Sequence, residues 1–325
     1  MKPKVLITRT IPKEALEIVQ RSCEVELLKR DRSTPKRELI RRLQGKEGVI
    51  SFASDIFDEE VFSQVPHLKI VSTVAVGYDN IDVQAATRHK VMVTNTPGVL
   101  TDTTADLTWA LLLATARRIV EGDHFVRAGK WKHWMFMLLL GHDIHHKTLG
   151  IVGFGRIGQA VARRAKGFDM RILYTDLFQA DKAAEEAVNA TYVDKETLLK
   201  ESDFVCLHTP LTPETIHFIG EKELKMMKKT AILVNAARGP VVDEKALVKA
   251  LRQGWIAGAG LDVFEKEPKI ERRLLSLKNV VMAPHIGSAT METRIKMVSM
   301  AAENCVAGLM GKRPPNLLNP EVWQG

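Results

Sequence analysis

The sequence predicts an α/β protein built from two doubly wound parallel-sheet domains. Two runs of alternating strand and helix signals predict it, one ending near Thr94 and one starting at Thr148. A third observation bears on the second run. Gly153-x-Gly155-x-x-Gly158 stands between a strand-type and a helix-type segment, and Asp176 closes the next apolar run.

The elements follow in order. Residues 5–8 read as a strand, and Pro12 opens a helix, as proline does at a first helical position. Residues 24–28 and 48–51 read as strands, with a helix over 35–43 between them. A helix over 58–64 leads to strands at 68–71 and 91–94. Asn95-Thr-Pro-Gly98 breaks the pattern. From Thr101 to about Gly129 the chain reads as one long helix, with Leu107, Ala110, Leu111 and Ala114 recurring at threes and fours. That is longer than an ordinary crossover helix needs, so a partner-facing role is expected. The second run has strands at 148–152, 171–174, 190–193, 204–207, 231–235, 258–262 and 280–282, with helices at 157–167, 181–188, 195–201, 221–227 and 244–252. A last helix over 290–310 is expected to fold back on the first domain. The chain then crosses between domains near 97–100 and 286–288. The expected domains are residues 1–98 with 287–325, and residues 99–286. No fixed-period repeat is visible.

A length of 325 residues suits about two domains. The apolar share of 45% and charged share of 26% are those of a soluble globular protein. The net charge of +8 is spread along the chain, and its densest cluster, 37–46, has the spacing of a solvated helix face. No basic run is interleaved with aromatics, which argues against nucleic-acid binding and leaves modest steering of anionic substrates. Cys23, Cys206 and Cys305 are far apart, so a reducing compartment is expected. The N-terminus lacks the apolar run of a signal peptide. The longest apolar stretches, 109–114 and 134–140, fall well short of the ~20 residues of a membrane span. These signs predict a cytoplasmic protein with no membrane partner.

In the glycine loop, Gly153 permits a tight turn, Gly155 lets backbone approach a pyrophosphate, and Gly158 allows close helix–strand packing. The N–H groups of Arg156 and Ile157 would face the phosphates at the positive end of the helix. Asp176, alternatively a solvated acid at a strand end, would accept from both ribose hydroxyls of NAD and repel the extra phosphate of NADP. Leu177, Phe178 and Gln179 offer that phosphate no cation. The expected cofactor is NAD, with NADH preferred over NADPH.

Three further residues follow strands: Arg238 in Asn235-Ala-Ala-Arg-Gly239, Glu267 in Val263-Phe-Glu-Lys-Glu-Pro268, and His285 in Pro284-His-Ile-Gly-Ser288. Ligands of open parallel sheets bind beyond the carboxyl ends of strands, so all three reach the cofactor edge. Singly, each has a plain alternative: a surface ion pair, a turn acid, a satisfied strand-end histidine.

Together with Val76-Gly-Tyr-Asp-Asn-Ile-Asp82, Thr94-Asn-Thr-Pro-Gly98, Gly153-Phe-Gly-Arg-Ile-Gly158 and Pro210-Leu-Thr-Pro-Glu-Thr215, these motifs resemble the D-isomer-specific 2-hydroxyacid dehydrogenases over nearly the whole chain. The segments 147–158 and 257–268 look most like glyoxylate/hydroxypyruvate reductases. The resemblance implies a Rossmann-type cofactor domain inserted in a smaller flavodoxin-like substrate domain that closes over substrate, with the crossings as hinges. It implies that His285 is the proton donor, that Glu267 orients its imidazole, and that Arg238 holds the substrate carboxylate and polarises the carbonyl. Backbone N–H groups at Val76 and Gly77 would grip the same carboxylate. Thr104 would approach the nicotinamide, and His208, Thr209 and Pro210 would cover the adenosine side. Ala236 and Ala237 would pass beneath the ring, Asp262 would accept from the carboxamide, and Gly287 would allow close backbone approach. A homodimer is implied, with the helix after Thr101 supplying much of the interface.

Gly141-His-Asp-Ile-His-His146 looks metal-like, but hydride transfer needs no metal and none is expected. The apolar run 131–140 is read as partner-facing or pocket-lining, with core packing as the alternative. The expected function is NADH-dependent reduction of a small 2-oxo acid, glyoxylate or hydroxypyruvate, to the D-2-hydroxy acid. The alternatives are D-3-phosphoglycerate dehydrogenase, whose substrate phosphate would want extra cations, and an NADH-sensing corepressor-type binding protein. Phosphite and formate dehydrogenases share the fold, but nothing singles them out.

Overall fold

The structure, a computed structural model, describes residues 1–323. The last two residues of the expected substrate domain, Gln324 and Gly325, lie outside the described residues. The chain divides into two compact units: Met1–Leu100 with the segment from Ala289 onward, and Thr101–Ser288.

The first unit opens with β1 (Lys4–Ile7), α1 (Lys13–Ser22), β2 (Glu24–Leu27), α2 (Lys36–Leu43) and β3 (Gly48–Ser51). It continues with α3 (Glu59–Ser63), β4 (Ile70–Thr73), α4 (Val83–Arg88) and β5 (Met92–Thr94). All strands are parallel, in the flavodoxin-like order β2-β1-β3-β4-β5. Val5, Leu6, Ile7, Val49, Ile50, Ile70, Val71 and Val93 are fully buried, as expected where helices cover both faces. Pro12 and Pro35 stand at the N-caps of α1 and α2, their fixed φ near −55° leading the chain into each helix. The short helix α4, which the sequence pattern did not predict, starts at Asp82, whose carboxylate accepts the N–H of Ala85. The strand expected at 68–71 lies two residues later, because the N–H of Leu68 closes a turn onto Val65 instead.

The second unit begins with α5 (Thr101–Ala116) and α6 (Ile119–Arg127). One continuous helix was expected here. The helix ends because Arg118 adopts a left-handed conformation, φ 53°, and His142 N–H takes over the Ala116 carbonyl at 2.9 Å. Gly141 makes that approach possible, since a Cβ there would meet the Ala116 carbonyl oxygen at 2.2 Å. The buried face of α5 also differs from the expected stripe. Ala110 is exposed and Leu107 and Ala114 are half-buried, while Ala105, Thr108, Trp109, Leu112 and Ala116 face the core with Leu111. Trp109 sets this rotation: its indole N–H donates to the Val161 carbonyl at 3.1 Å and its ring stacks on Phe168.

Next come β6 (Thr148–Val152), α7 (Arg156–Ala165), β7 (Arg171–Thr175), α8 (Lys182–Val188), β8 (Ala190–Tyr192), α9 (Lys195–Glu201) and β9 (Phe204–Leu207). Then follow α10 (Glu221–Met226), β10 (Ile232–Asn235), α11 (Glu244–Gln253), β11 (Gly258–Leu261) and β12 (Val280–Met282). These strands form a seven-stranded sheet of order β12-β11-β10-β9-β6-β7-β8, every pair parallel. The strand order turns around between β6 and β9, where a Rossmann-type sheet has its ligand crevice. Two apolar clusters cover the two faces, one centred on α11 and one on α5 and α7.

The last helix, α12 (Met291–Leu309), returns to the first unit and packs against α1 and the strands β3 to β5. Asn304 donates to the Asn95 carbonyl, and Asn319 both accepts from Val93 N–H and donates to the Val91 carbonyl. These buried amides sew the C-terminal segment to β5. Among the described residues no helix is long and apolar enough to cross a membrane.

Candidate active site

The glycine loop runs from β6 into α7 beside the turnaround of the sheet. Gly153 has φ 89°, and a Cβ there would lie 2.7 Å from the His208 carbonyl, so only glycine fits. At Gly158 a Cβ would meet the Gly153 oxygen at 2.2 Å, which is the close helix–strand packing expected of the third glycine. Gly155 differs: nothing lies within 4 Å of its Cβ position, leaving open space over the N-terminus of α7, where Arg156 and Ile157 are the first helical residues. A pyrophosphate fits that space and that end of the helix dipole.

Asp176 follows β7 and is exposed. Its two oxygens accept the N–H groups of Phe154 and Leu177, each at 2.7 Å, which fixes the carboxylate against the glycine loop and leaves lone pairs for further donors. An open cavity of about 360 Å³ lies beside it, lined by Phe154, Gly155, Asp176, Phe178, Gln179 and Asp181 among others, with no lysine or arginine in its wall.

Across the crevice, β9 delivers His208, Thr209 and Pro210. The His208 ring nitrogens are sealed from solvent and have no hydrogen-bond partner among the described residues. Burial pushes this imidazole down to about 4, so it stays neutral. The motif that follows is explained by Thr215, whose hydroxyl donates to the Pro210 carbonyl and accepts Thr212 N–H, both at 2.8 Å.

Three strand-end turns of the same unit carry the remaining candidates. After β10, Ala236, Ala237 and Arg238 form a turn that Asn235 holds at both ends. Its side chain accepts Ala237 N–H at 3.1 Å and donates to the Arg238 carbonyl at 2.9 Å. Sequence reasoning assigned no role to Asn235, although it lies within the Arg238 motif and asparagine is a turn-stabilising residue.

After β11, the fully buried Asp262 accepts Ile286 N–H at 2.7 Å and Gly287 N–H at 2.8 Å, and its own carbonyl accepts His285 N–H at 2.8 Å. It therefore braces the turn that presents His285, a task beyond the cofactor contact expected of it. Burial raises its pKa, against the opposing pull of those N–H groups and the His285 charge. A Cβ on Gly287 would touch the Asp262 carboxylate at 3.1 Å and Thr104 at 3.5 Å, so these three residues adjoin one another.

His285 itself is exposed and sits at φ 53°, a left-handed conformation uncommon for a residue with a side chain. Its Nδ1 lies 2.7 Å from Glu267 Oε2, while Glu267 Oε1 accepts Phe264 N–H at 3.0 Å. Desolvation pushes the Glu267 carboxyl up, but the His285 hydrogen bond and charge, the Phe264 N–H and the Arg238 guanidinium outweigh it and hold the group below its ordinary 4.5. An ionised carboxylate thus holds the imidazole through Nδ1 in a bond that does not use Nε2, with Arg238 near enough to act on the same carboxylate.

Val76 and Gly77 lie in the first unit, in the segment that follows β4, where Asn95 holds the Val76 carbonyl at 2.8 Å. The histidines of 141–146 assemble no group of three or more metal-ligating side chains among the described residues. The apolar run 131–140 stays out of the core: Trp134 is 74% exposed and Phe136 is 76% exposed. Core packing, the alternative considered for it, is set aside.

A dinucleotide crevice in the same unit as a histidine hydrogen-bonded to a carboxylate, with an arginine acting on that carboxylate, is the arrangement of an oxidoreductase that works with a nicotinamide cofactor. The comparisons agree. The family described as D-isomer specific 2-hydroxyacid dehydrogenase, NAD binding domain, matches residues 109–287. The glyoxylate reductase of Thermococcus litoralis is 55% identical over 326 residues, covering 99% of this chain and 98% of its own. A solved protein of Thermus thermophilus shares the fold at a TM-score of 0.91 and 48% identity, covering 97% of this chain and 99% of its own. An NADPH-dependent glyoxylate/hydroxypyruvate reductase of Sinorhizobium meliloti, solved with NADP and malonate, has a TM-score of 0.89 at 30% identity, covering 100% of this chain and 99% of its own. The chain belongs to the D-isomer-specific 2-hydroxyacid dehydrogenase family. Its reaction class is the reduction of a small 2-oxo acid with a nicotinamide cofactor.

Proposed function

We propose that this protein is a cytoplasmic, NADH-dependent reductase that converts glyoxylate or hydroxypyruvate to glycolate or D-glycerate, with His285 as proton donor. The observation that carries this reading is the 2.7 Å contact between His285 Nδ1 and Glu267 Oε2. It fixes the ring through Nδ1, so that Nε2 is the nitrogen that gives its proton to a developing alkoxide. The nicotinamide, when bound, supplies hydride to the carbonyl carbon. Nε2 of His285 gives its proton to the carbonyl oxygen, and the imidazole is left neutral against the Glu267 carboxylate. The Arg238 guanidinium pairs with the substrate carboxylate and polarises the carbonyl. The N–H groups of Val76 and Gly77 are assigned to that carboxylate as well.

For the cofactor, the glycine loop with Arg156 and Ile157 takes the pyrophosphate, Asp176 the adenosine ribose, and His208, Thr209 and Pro210 the adenosine side. Thr104, Ala236, Ala237, Asp262 and Gly287 take the nicotinamide end. The preference for NADH rests on the cavity beside Asp176, which holds a second acid, Asp181, and no cation for a ribose phosphate. In this respect it is expected to part from its NADPH-dependent structural relative. A homodimer is part of the proposal, supported by the exposed apolar side chains of α6 (Ile119, Val126) and of Trp131, Trp134, Phe136 and Met137.

The deciding experiment is an NADH-oxidation panel with glyoxylate, hydroxypyruvate, pyruvate and phosphohydroxypyruvate, run with the parent and with His285→Ala. Turnover should be highest on the first two and lost in the variant, with NADH binding retained. Inactivity on all four substrates would favour an NADH-sensing binding protein. Best turnover on phosphohydroxypyruvate would favour a phosphoglycerate dehydrogenase.

A further inference from the structure

Glu244 is the first residue of α11 and is buried, at 8% exposure. It does not cap its own helix, because Asp243 does that by accepting the N–H groups of Lys245 and Ala246. Instead its Oε1 accepts the N–H of Glu265 at 2.6 Å, outside the helix. The N–H of Glu271 acts on the same carboxylate. Glu265 and Glu271 bracket the loop that carries Glu267, so one buried carboxylate holds both ends of that loop. The Glu265 side chain is held from another direction by His217, whose Nε2 lies 3.2 Å from its Oε1. Gly239, next to Arg238, presses on the same place, since a Cβ there would lie 1.9 Å from the Phe264 carbonyl carbon and 2.5 Å from Glu265 nitrogen.

Holding a loop does not in itself require a carboxylate, and a carboxylate is a costly choice here. Burial raises the Glu244 pKa; the N–H of Glu265 opposes this, the Glu265 carboxylate adds to it, the Glu271 N–H again opposes it and the Glu271 carboxylate adds to it. What the costly group provides is geometry. Phe264, whose peptide bond to Glu265 is held by Glu244, donates its own N–H to Glu267 Oε1, and Glu267 Oε2 meets His285, so the residue that Glu244 anchors is the one that aims the Glu267 carboxylate.

We propose that Glu244 is a positioning residue for the His285–Glu267 pair, its carboxylate fixing the Glu265 peptide so that Glu267 meets His285 Nδ1. This rests on the catalytic reading of Glu267 and His285 given above. Glu244 touches neither substrate nor cofactor, and its effect runs through Glu267.

The test is a double-mutant cycle on the full-length enzyme with Glu244→Met, Glu267→Ala and the pair combined, assayed for NADH-dependent glyoxylate reduction. Glu244→Met keeps the volume and removes the acceptor. It should lower kcat about tenfold while the Kd for NADH stays within twofold. Glu244→Gln, whose amide oxygen still accepts Glu265 N–H, should restore most of kcat. In the Glu267→Ala background, Glu244→Met should cost less than twofold more, because the group it positions is already gone. An equal cost in both backgrounds would show a general structural effect and overturn the proposal. So would a parental kcat in Glu244→Met while Glu267→Ala is impaired. Parental kcat in Glu267→Ala would instead overturn the catalytic reading beneath the proposal, and the proposal with it. If Glu244→Met does not fold, Glu244→Asp carries the same expectations through the same cycle, since it keeps the charge but withdraws it from Glu265 N–H.

Discussion

Replacing Glu267 by glutamine exchanges one carboxylate oxygen for an amide nitrogen, and its effect can be worked out from the contacts. Both carboxylate oxygens are used, Oε1 by Phe264 N–H at 3.0 Å and Oε2 by His285 Nδ1 at 2.7 Å. Glutamine has only one acceptor. If its oxygen stays with Phe264, its NH₂ group faces Nδ1 and forces the neutral tautomer on His285. If it turns over, two N–H donors oppose each other at Phe264. In either orientation a charge-assisted hydrogen bond of about 1.5–3 kcal/mol is lost, which corresponds to a roughly ten- to hundredfold drop in kcat for reduction. The pH dependence has a definite sign. In the parent the Glu267 carboxyl lies below its ordinary 4.5, so it is ionised throughout the neutral range. In the parent, protonation of this carboxyl should make kcat fall only as the pH drops below 4.5; glutamine does not titrate, so the variant should lack that acid fall. The assay is NADH oxidation by the full-length enzyme at saturating glyoxylate from acid to alkaline pH, with the Kd for NADH measured by fluorescence. A kcat within twofold of the parent and an unmoved profile would refute the proton-donor scheme.

Three other perturbations follow from the geometry. Asp176→Ser should lower kcat/KM for NADH about tenfold and raise it for NADPH, because a charge-assisted acceptor is lost and its repulsion with it. Steady-state kinetics with both cofactors decide this, and a parent that already prefers NADPH would contradict the reasoning. Gly239→Ala would place a Cβ 1.9 Å from the Phe264 carbonyl, so the turn or the Glu267 loop must shift. A destabilisation of about 1–3 kcal/mol is expected in denaturant unfolding, with a loss of kcat, and parental stability would count against the close packing. The double variant Trp134→Glu with Phe136→Glu places charge at two positions whose side chains are 74% and 76% exposed, and light scattering should show the proposed dimer falling to a monomer. An unchanged mass would place the dimer contact elsewhere, and a monomeric parent would remove it.

Much of the fold was legible because its elements announce themselves locally. Strands covered on both faces leave short unbroken apolar runs such as Val5-Leu-Ile7 and Phe204-Val-Cys-Leu207, and Gly153 and Gly158 mark places in the turn where a Cβ would collide with backbone. What was not legible depends on contacts made far along the chain. The end of α5 carries no glycine or proline. It stops because His142 takes the Ala116 carbonyl and Gly141 lets it approach, and neither is visible in the sequence around Ala116. The rotation of α5 has the same character, since it is set by Trp109 reaching Val161 and Phe168. In the site, residues that bear charge at strand ends could be picked out one by one. The residues that aim them could not, because Asn235 and Glu244 resemble ordinary turn and helix residues until their partners are known.

The site has one repeated construction, which bears on how substitutions in it should be interpreted. Each proposed catalytic side chain stands on a strand-end turn or loop, and each is held by a side-chain acceptor that takes backbone N–H groups. Asn235 holds the Arg238 turn, Asp262 the His285 turn, and Glu267 with Glu244 the loop between them. Asp262 and Asn235 are each 1% exposed, so removing either leaves N–H groups without a partner in a dry environment. Loss of such an acceptor should displace a catalytic atom without removing it, by distances small on the scale of the fold but large for proton transfer. Variants at Asn235 and Asp262 should therefore lower kcat even where the fold survives and every group that touches the substrate is present. Activity loss alone thus does not identify a residue as a member of the proton-transfer pair. The double-mutant cycle makes that distinction, because a positioning residue loses its effect once the group it positions has been removed.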